Sequence, residues 1–320
     1  MKTLVLANQK GGVGKSAVAC LLAHHFAQYG QRVLAVDFDH QGNFSDPLMK
    51  SGRAVDAGVF ADRLLTDAAA QVAQQPFVLA RACDDLLLLE RQHAMHTPFA
   101  RNFRAFLARV DRSFDVCVVD TNPNPDIRVI AALASADYVL SPIQLNQEAL
   151  DGVRGLMMHP RVGIRKIKAL LNPKLELIGL LPTMVEANPF QRANFRQVIE
   201  RYLALMIKIG DRPGDLASIP KRLAIAEAQA MGEVLWEMKK TAARDAWKEI
   251  QPSIAWIASI VLKPGAEVSR ADLVSHCREH LAAYKVPRAV QFVASVPTTS
   301  SGKIMRRMLN EVDDGSIAVS

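Results

Sequence analysis

Seven residues constrain this chain more than any others: Lys10-Gly11-Gly12-Val13-Gly14-Lys15-Ser16. They follow the apolar run Leu4-Val5-Leu6-Ala7 and lead into residues 17–28, which have helical spacing, so the sequence predicts a strand, a glycine turn and a helix in that order. Glycines permit positive φ and let successive backbone N–H groups converge, which makes such a turn at a helix N-terminus a nest for phosphate oxygens. Lys15 is then placed to reach the β and γ phosphates of a nucleotide, and the Ser16 hydroxyl to hold Mg²⁺. Gly11, Gly12, Val13, Gly14, Lys15, Ser16 and Ala17 are accordingly the expected nucleotide-binding residues.

Two further stretches supply the acids that phosphate chemistry needs. Val33-Leu34-Ala35-Val36 is fully apolar, as strands buried in a parallel sheet are, and it runs into Asp37-Phe38-Asp39. Period-two spacing places Asp37 and Asp39 together at the carboxyl end of that strand, where open α/β sheets bind their ligands. The run Val116-Cys117-Val118-Val119 ends in Asp120, a pattern in which the carboxylate accepts from Mg²⁺-bound water. Ser16 and Asp120 are the expected metal-side residues. Further strands are expected at Leu86-Leu87-Leu88-Leu89, Tyr138-Val139-Leu140-Ser141-Pro142 and 175–182, and helices at 56–65, 98–110 and 239–260. Strands alternating with helices predict a mostly parallel, twisted α/β sheet covered on both faces; the order of the strands cannot be read.

Composition narrows the rest. Half of the 320 residues are apolar, enough for a large core, yet no run of some 18 apolar residues marks a membrane span. Cys20, Cys83, Cys117 and Cys277 have no pairing or metal-binding spacing, so free thiols in a reducing compartment are expected. His93 and His96 lie three apart and are expected to be solvated rather than to ligate a metal. The net charge of +7 permits contact with a polyanion without requiring it. Much of the excess lies in 159–250, with 16 Lys and Arg against 10 Asp and Glu.

The lysine opening the glycine turn, Lys10, is not asked for by an ordinary phosphate-binding loop. With it, KGGVGKS resembles the deviant Walker A motif of the ParA/MinD family of dimerising P-loop ATPases. The resemblance covers about residues 1–260. It extends to Asp37-Phe38-Asp39-His40-Gln41-Gly42-Asn43, similar to the family's DxDPQGN with His40 in place of proline. Asp120-Thr121-Asn122-Pro123 stands where the family has DTPP, and Ile219-Pro220-Lys221-Arg222 followed by Glu227-Ala228-Gln229-Ala230 resembles its IPR…EAQA element. The resemblance implies that Lys10 reaches the partner's phosphates across an ATP-dependent homodimer, that Asp37 sits near the hydrated Mg²⁺ as a further metal-side residue, that Asp39 orients the attacking water, and that Lys10, Lys15 and Asp39 are catalytic. It also implies non-specific DNA binding through C-terminal basic residues, with Lys221 and Arg222 as candidates. A ParB-like centromere-binding adaptor would stimulate hydrolysis, and the protein would be cytoplasmic and nucleoid-associated.

Residues 261–320 resemble something else. Tyr284-Lys285-Val286-Pro287-Arg288 and Pro297-Thr298-Thr299-Ser300-Ser301-Gly302-Lys303-Ile304 are similar to the last part of the C-terminal domain of adenylate-forming ligases, a small α+β fragment in which Lys303 would be the adenylation lysine. That chemistry also needs a large domain to hold ATP and the acid, and one cation cannot position two substrates. A non-catalytic segment is expected. Two alternatives remain at this point, a MinD-like ATPase acting at a membrane surface and an accessory to acyl-CoA ligation. The acidic end Asp313-Asp314 argues against the first, whose members end in a basic amphipathic helix.

Overall fold

The computed structural model describes residues 1–146, 149–210 and 214–262. The chain opens with β1 (Lys2–Leu6), α1 (Lys15–Gln28) and β2 (Val33–Asp37), continues through α2 (Ser45–Lys50), β3 (Val55–Asp56), α3 (Arg63–Thr66) and β4 (Phe77–Ala80), and reaches α4 (His96–Val110). It then runs β5 (Val116–Asp120), α5 (Ile127–Ser135), β6 (Tyr138–Gln144), α6 (Ala149–Met158), α7 (Ile164–Leu170), β7 (Glu176–Val185), α8 (Pro189–Tyr202), β8 (Ile219–Pro220), α9 (Leu223–Met231) and α10 (Thr241–Leu262). The strands form one parallel sheet of eight in the order β3-β4-β2-β5-β1-β6-β7-β8. The predicted α/β class is thus realised. From β1 the chain first builds toward one edge and later toward the other, so the direction of winding reverses beside β1, where such sheets bind ligands.

Strict alternation along the central strands builds the two halves of the core. Leu4, Leu6, Val33, Ala35, Val116 and Val118 pack on one face under α1, α9 and α10. Val5, Ala7, Leu34, Val36, Cys117 and Val119 pack on the other with Phe99, Phe103 and Phe106 of α4 and the apolar side of α5. Continuing the alternation by one step puts Asp37 and Asp120 on the α1 face, and the β2–β5 register sets them directly side by side.

Two local expectations are corrected. Leu86-Leu87-Leu88-Leu89 is not a strand: Asp84–Arg91 winds as a 3₁₀ helix that buries Leu86 and Leu89 and exposes Leu87 and Leu88. Residues three apart eclipse in such a helix, so four consecutive leucines serve one face with only two; the strand of this region is β4. Nor is 56–65 one helix. Asp56 ends β3, its carboxylate accepts from the Gly58 N–H (2.8 Å), and the turn that follows confines helix to α3. Cys20 and Cys117 are buried free thiols and Cys83 is a half-buried one. Cys277, Lys303 and nearly all of the 261–320 segment lie outside the described residues.

Candidate active site

The turn after β1 is pinned before it meets any ligand. Asn8 donates to the Pro142 carbonyl (2.8 Å) and accepts from the Lys10 N–H (2.9 Å), while the Thr183 hydroxyl at the end of β7 donates to the Val13 carbonyl (2.8 Å). Gly14 caps α1 with φ 79°, a left-handed conformation that side-chain-bearing residues rarely adopt, and Gly12 has φ 72°. No side chain caps α1 and its first turn carries no acid, so its free N–H groups and the positive end of its dipole face the cleft.

That cleft, about 520 Å³, is lined by Gly11, Gly12, Gly14, Lys15, Ser16, Ala17 and Asp39. Lys15 is 6% exposed and its ammonium rests 3.4 Å from the Lys10 carbonyl. Burial holds its pKa below the ordinary lysine range, against the pull of Asp120 and Asp39. The Ser16 hydroxyl donates to Asp120 (2.6 Å), whose other oxygen, Oδ1, is buried without a partner. Burial, and then the neighbouring Asp37, push the Asp120 carboxyl well above the usual range. Asp37 is also raised by burial, although Ser45 N–H and Oγ (both 2.8 Å) and Asp39 N–H (3.0 Å) bond to it. Two carboxylates side by side on adjoining strands, one with an orphan oxygen beside a serine hydroxyl, suit a hard divalent cation. Ser16 and Asp120 are the residues fitted to hold Mg²⁺. Asp37, beside Asp120, accepts from Ser45 and from the Asp39 N–H and so orders the Asp39–Ser45 loop as well.

A chain with about 35% identity to a known protein over most of its length shares its fold, and several comparisons agree. A family model described as an AAA domain matches residues 1–177. Protein IncC of Escherichia coli is 35% identical over 78% of this chain and 67% of its own length. The chromosome-partitioning ATPase Soj of Thermus thermophilus is 32% identical over 73% of this chain and 87% of its own. The crystal structure of cobyrinic acid a,c-diamide synthase from Mycobacterium smegmatis with ADP and magnesium superimposes with TM-score 0.58 at 28% identity, covering 72% of this chain and 91% of that one. An ATP complex of Cyanothece McdA shares the fold at TM-score 0.66 and 20% identity, covering 83% and 99%.

The chain belongs to the ParA/MinD family of P-loop ATPases. A second model, for the AMP-binding enzyme C-terminal domain, matches residues 254–303 and so begins inside α10.

Several residues of this ParA-type cleft escaped the sequence reading. Gln41, Asn43, Asp46, Pro47 and Lys50 line it from the loop after Asp39 and from α2, and Ala226, Gln229 and Ala230 from α9. The Glu227-Ala228-Gln229-Ala230 stretch is therefore a wall of the cleft as well as a neighbour of the basic pair. Gly232 (φ 70°) ends α9 so close to α2 that a Cβ there would stand 2.3 Å from the Lys50 Cβ, so a residue without one is needed for the two helices to approach this closely. Met184, left-handed at φ 51°, sits where the β7–β8 register shifts and also lines the cleft. Strained backbone at a functional site was the signal for it, and strain is invisible in sequence.

The remaining candidates lie elsewhere. Lys10 is not among the residues lining the cleft. Lys221 pairs with Glu186 (3.1 Å) and Arg222 with Glu249 (2.6 Å), all of them exposed. His93 and His96 have an acidic neighbour after all. Ligand atoms of Glu90, His93 and His96 lie within 4.8 Å of one another, but the Glu90 carboxylate already accepts from Arg161 (2.8 Å) and from the Ile127 N–H (2.8 Å). No helix among the described residues is long and apolar enough to cross a membrane.

Proposed function

We propose that this ParA-family ATPase is a DNA-partition switch that closes into a two-fold dimer on ATP, binds DNA without regard to sequence, and hydrolyses ATP when a ParB-like adaptor stimulates it. One observation carries the reading: of the two lysines that bracket the glycine turn, Lys15 lines the cleft and Lys10 does not. A lysine at that place suits the nucleotide of a second copy. Soj, the Thermus relative, is a chromosome-partitioning ATPase by name, which supports the partition role.

Hydrolysis at this site is attack of water on the γ phosphorus with departure of ADP. The α1 N-terminus and the glycine N–H groups bind the phosphate oxygens, Lys15 neutralises charge at the γ phosphate, and Lys10 of the partner copy adds a second cation as the bond breaks. Asp39, 6% exposed and held by its own N–H on Asp37, accepts a hydrogen bond from the attacking water and aims it. Mg²⁺ bound through Ser16 and Asp120 would neutralise charge on the β and γ oxygens. For DNA, Lys221 and Arg222 would have to exchange Glu186 and Glu249 for phosphates, so they are two contributors among several basic residues of 159–250.

Sedimentation with ATP and with ADP tests the cycle. The parent is expected to dimerise only with ATP. Lys10→Ala is expected to stay monomeric and to lose about 1000-fold or more in hydrolysis, as loss of a cationic finger does, while nucleotide affinity holds. DNA binding should need ATP and, for about four neutralised phosphates, fall with a log–log salt slope near −3.6. Equal DNA affinity without nucleotide would defeat the proposal.

A further inference from the structure

Beyond the cleft lining, the segment that follows Asp120 carries a group of polar side chains that nothing described so far uses. Arg128, in the first turn of α5, is 2% exposed, Asp126 is 5% and Asn122 is 1%. Asp126 caps α5 by accepting from the Arg128 N–H (3.0 Å), and its other oxygen accepts from Arg128 Nη2 (2.5 Å), Arg128 Nε (3.0 Å) and Asn122 Nδ2 (2.8 Å). The remaining arm of the guanidinium, Nη1, donates to the carbonyl of Phe38 (3.3 Å).

That last contact reaches across to the loop of Asp39. Phe38 donates its own N–H to the Asp120 carbonyl (3.0 Å), so both polar groups of Phe38 are held by the chain around Asp120. The peptide joining Phe38 to Asp39 is fixed at both ends, its oxygen by Arg128 and its N–H by Asp37 (3.0 Å). A peptide plane pinned on both sides sets the direction in which the next side chain leaves the backbone, and that side chain is Asp39.

We propose that Arg128, with Asp126 behind it, is a positioning residue for hydrolysis: it locks the loop carrying Asp39 to the loop that follows the metal-side Asp120, so that the two carboxylates keep one spacing. Asn122 ties the start of the second loop to the same carboxylate. It stands where the related ATPases have a stiffening proline, and a hydrogen bond into a buried ion pair restrains the loop in the proline's place. Stability alone is a poor reason for the pair, because a buried ion pair is commonly no more stabilising than apolar side chains of the same volume. The guanidinium holds the two in one fixed geometry, Nε and Nη2 on the carboxylate and Nη1 on the carbonyl, which the single nitrogen of an ammonium on a flexible stem does not reproduce. The proposal rests on the role given above to Asp39.

Arg128→Lys keeps the charge and loses the fork. In adaptor-stimulated or basal hydrolysis its kcat is expected to fall about 10- to 100-fold, as a misplacement near 1 Å does, with affinity for a fluorescent ATP analogue within about twofold of the parent. Asp39→Ala is measured beside it. If Asp39→Ala is inactive while Arg128→Lys turns over like the parent, or if Arg128→Lys loses nucleotide affinity in step with kcat, positioning is refuted and the role of Asp39 stands. Parent-like turnover by Asp39→Ala refutes both. Should Arg128→Lys not fold, the neutral pair Asp126→Asn with Arg128→Met leaves no buried charge behind and decides the matter. A folded, ATP-binding, slow double variant supports the proposal. Parent-like turnover, or failure of this one to fold as well, overturns it.

Discussion

At the floor of the cleft, Lys15 sits almost wholly buried with Asp39 and Asp120 close by, while on the outer surface, away from the cleft lining, Lys221 and Arg222 meet Glu186 and Glu249 in the open. Both regions hold cations against carboxylates, yet their physical situations are opposite. The floor is short of counter-charge: the Lys15 ammonium feels two acids, Asp120 and Asp39, Asp120 has an oxygen with no partner, and burial drives Lys15 down and Asp120 up. A site in that state gains most when a cation and a polyphosphate arrive together. The outer surface is already paired, in water, where each pair contributes ~0–1 kcal/mol and salt screens it. Buried charge left unbalanced marks where chemistry is done; exposed charge already balanced marks a surface that exchanges partners at little cost.

The sharpest way to break this comparison is Lys15→Ala. Loss of a preorganised cation at the γ phosphate is expected to lower hydrolysis by about 1000-fold, measured in single turnover. Retention of a tenth or more of the parent rate would mean that the floor is not the reaction centre.

His24 sharpens the contrast outside the cleft. It is 6% exposed, lies edge-on to Phe77 at 5.9 Å, and burial with the nearby Arg53 depresses its pKa from 6.5 to about 4. Between those values the unfolded chain binds the proton and the folded chain does not, so the contribution of His24 to stability is whole above pH 6.5 and declines as pH falls toward 4. The loss is on the order of 3 kcal/mol. Chemical denaturation at a series of pH values checks it, with His24→Phe expected to flatten the dependence over that window.

The smallest effect belongs to the exposed pairs. Lys221→Ala with Arg222→Ala is expected to change folding stability by less than about 1 kcal/mol and to reduce the salt slope of DNA binding by about 2. An unchanged slope would remove these two residues from the DNA surface and leave the other basic residues of 159–250 to carry it.

How much of this was legible depended on distance along the chain. The glycine turn, β1, β2 and β5 were readable because each is a short local pattern, and Asp37 and Asp120 followed because strand periodicity carries a residue's face with it. The α9 wall was not: Gln229 and Ala230 lie on the cleft because Gly232 lets α9 close on α2, some 180 positions away in sequence. Likewise Asn122 read as a mere departure from a proline, since the carboxylate and guanidinium that give it meaning become its neighbours only when α5 is formed.

The sequence by itself determined the class of fold and the place of the glycine turn, and it put Lys15 and Ser16 at the start of α1 and Asp37 and Asp120 at the ends of their strands, because local conformational preference and alternation fix which side chains share a face. Tertiary structure alone decided which cations line the cleft, which are neutralised at the surface, and how the peptide before Asp39 is held. Those outcomes depend on desolvation and on contacts between segments brought together by the strand order, and no spacing along a chain encodes how far a charge ends up from water.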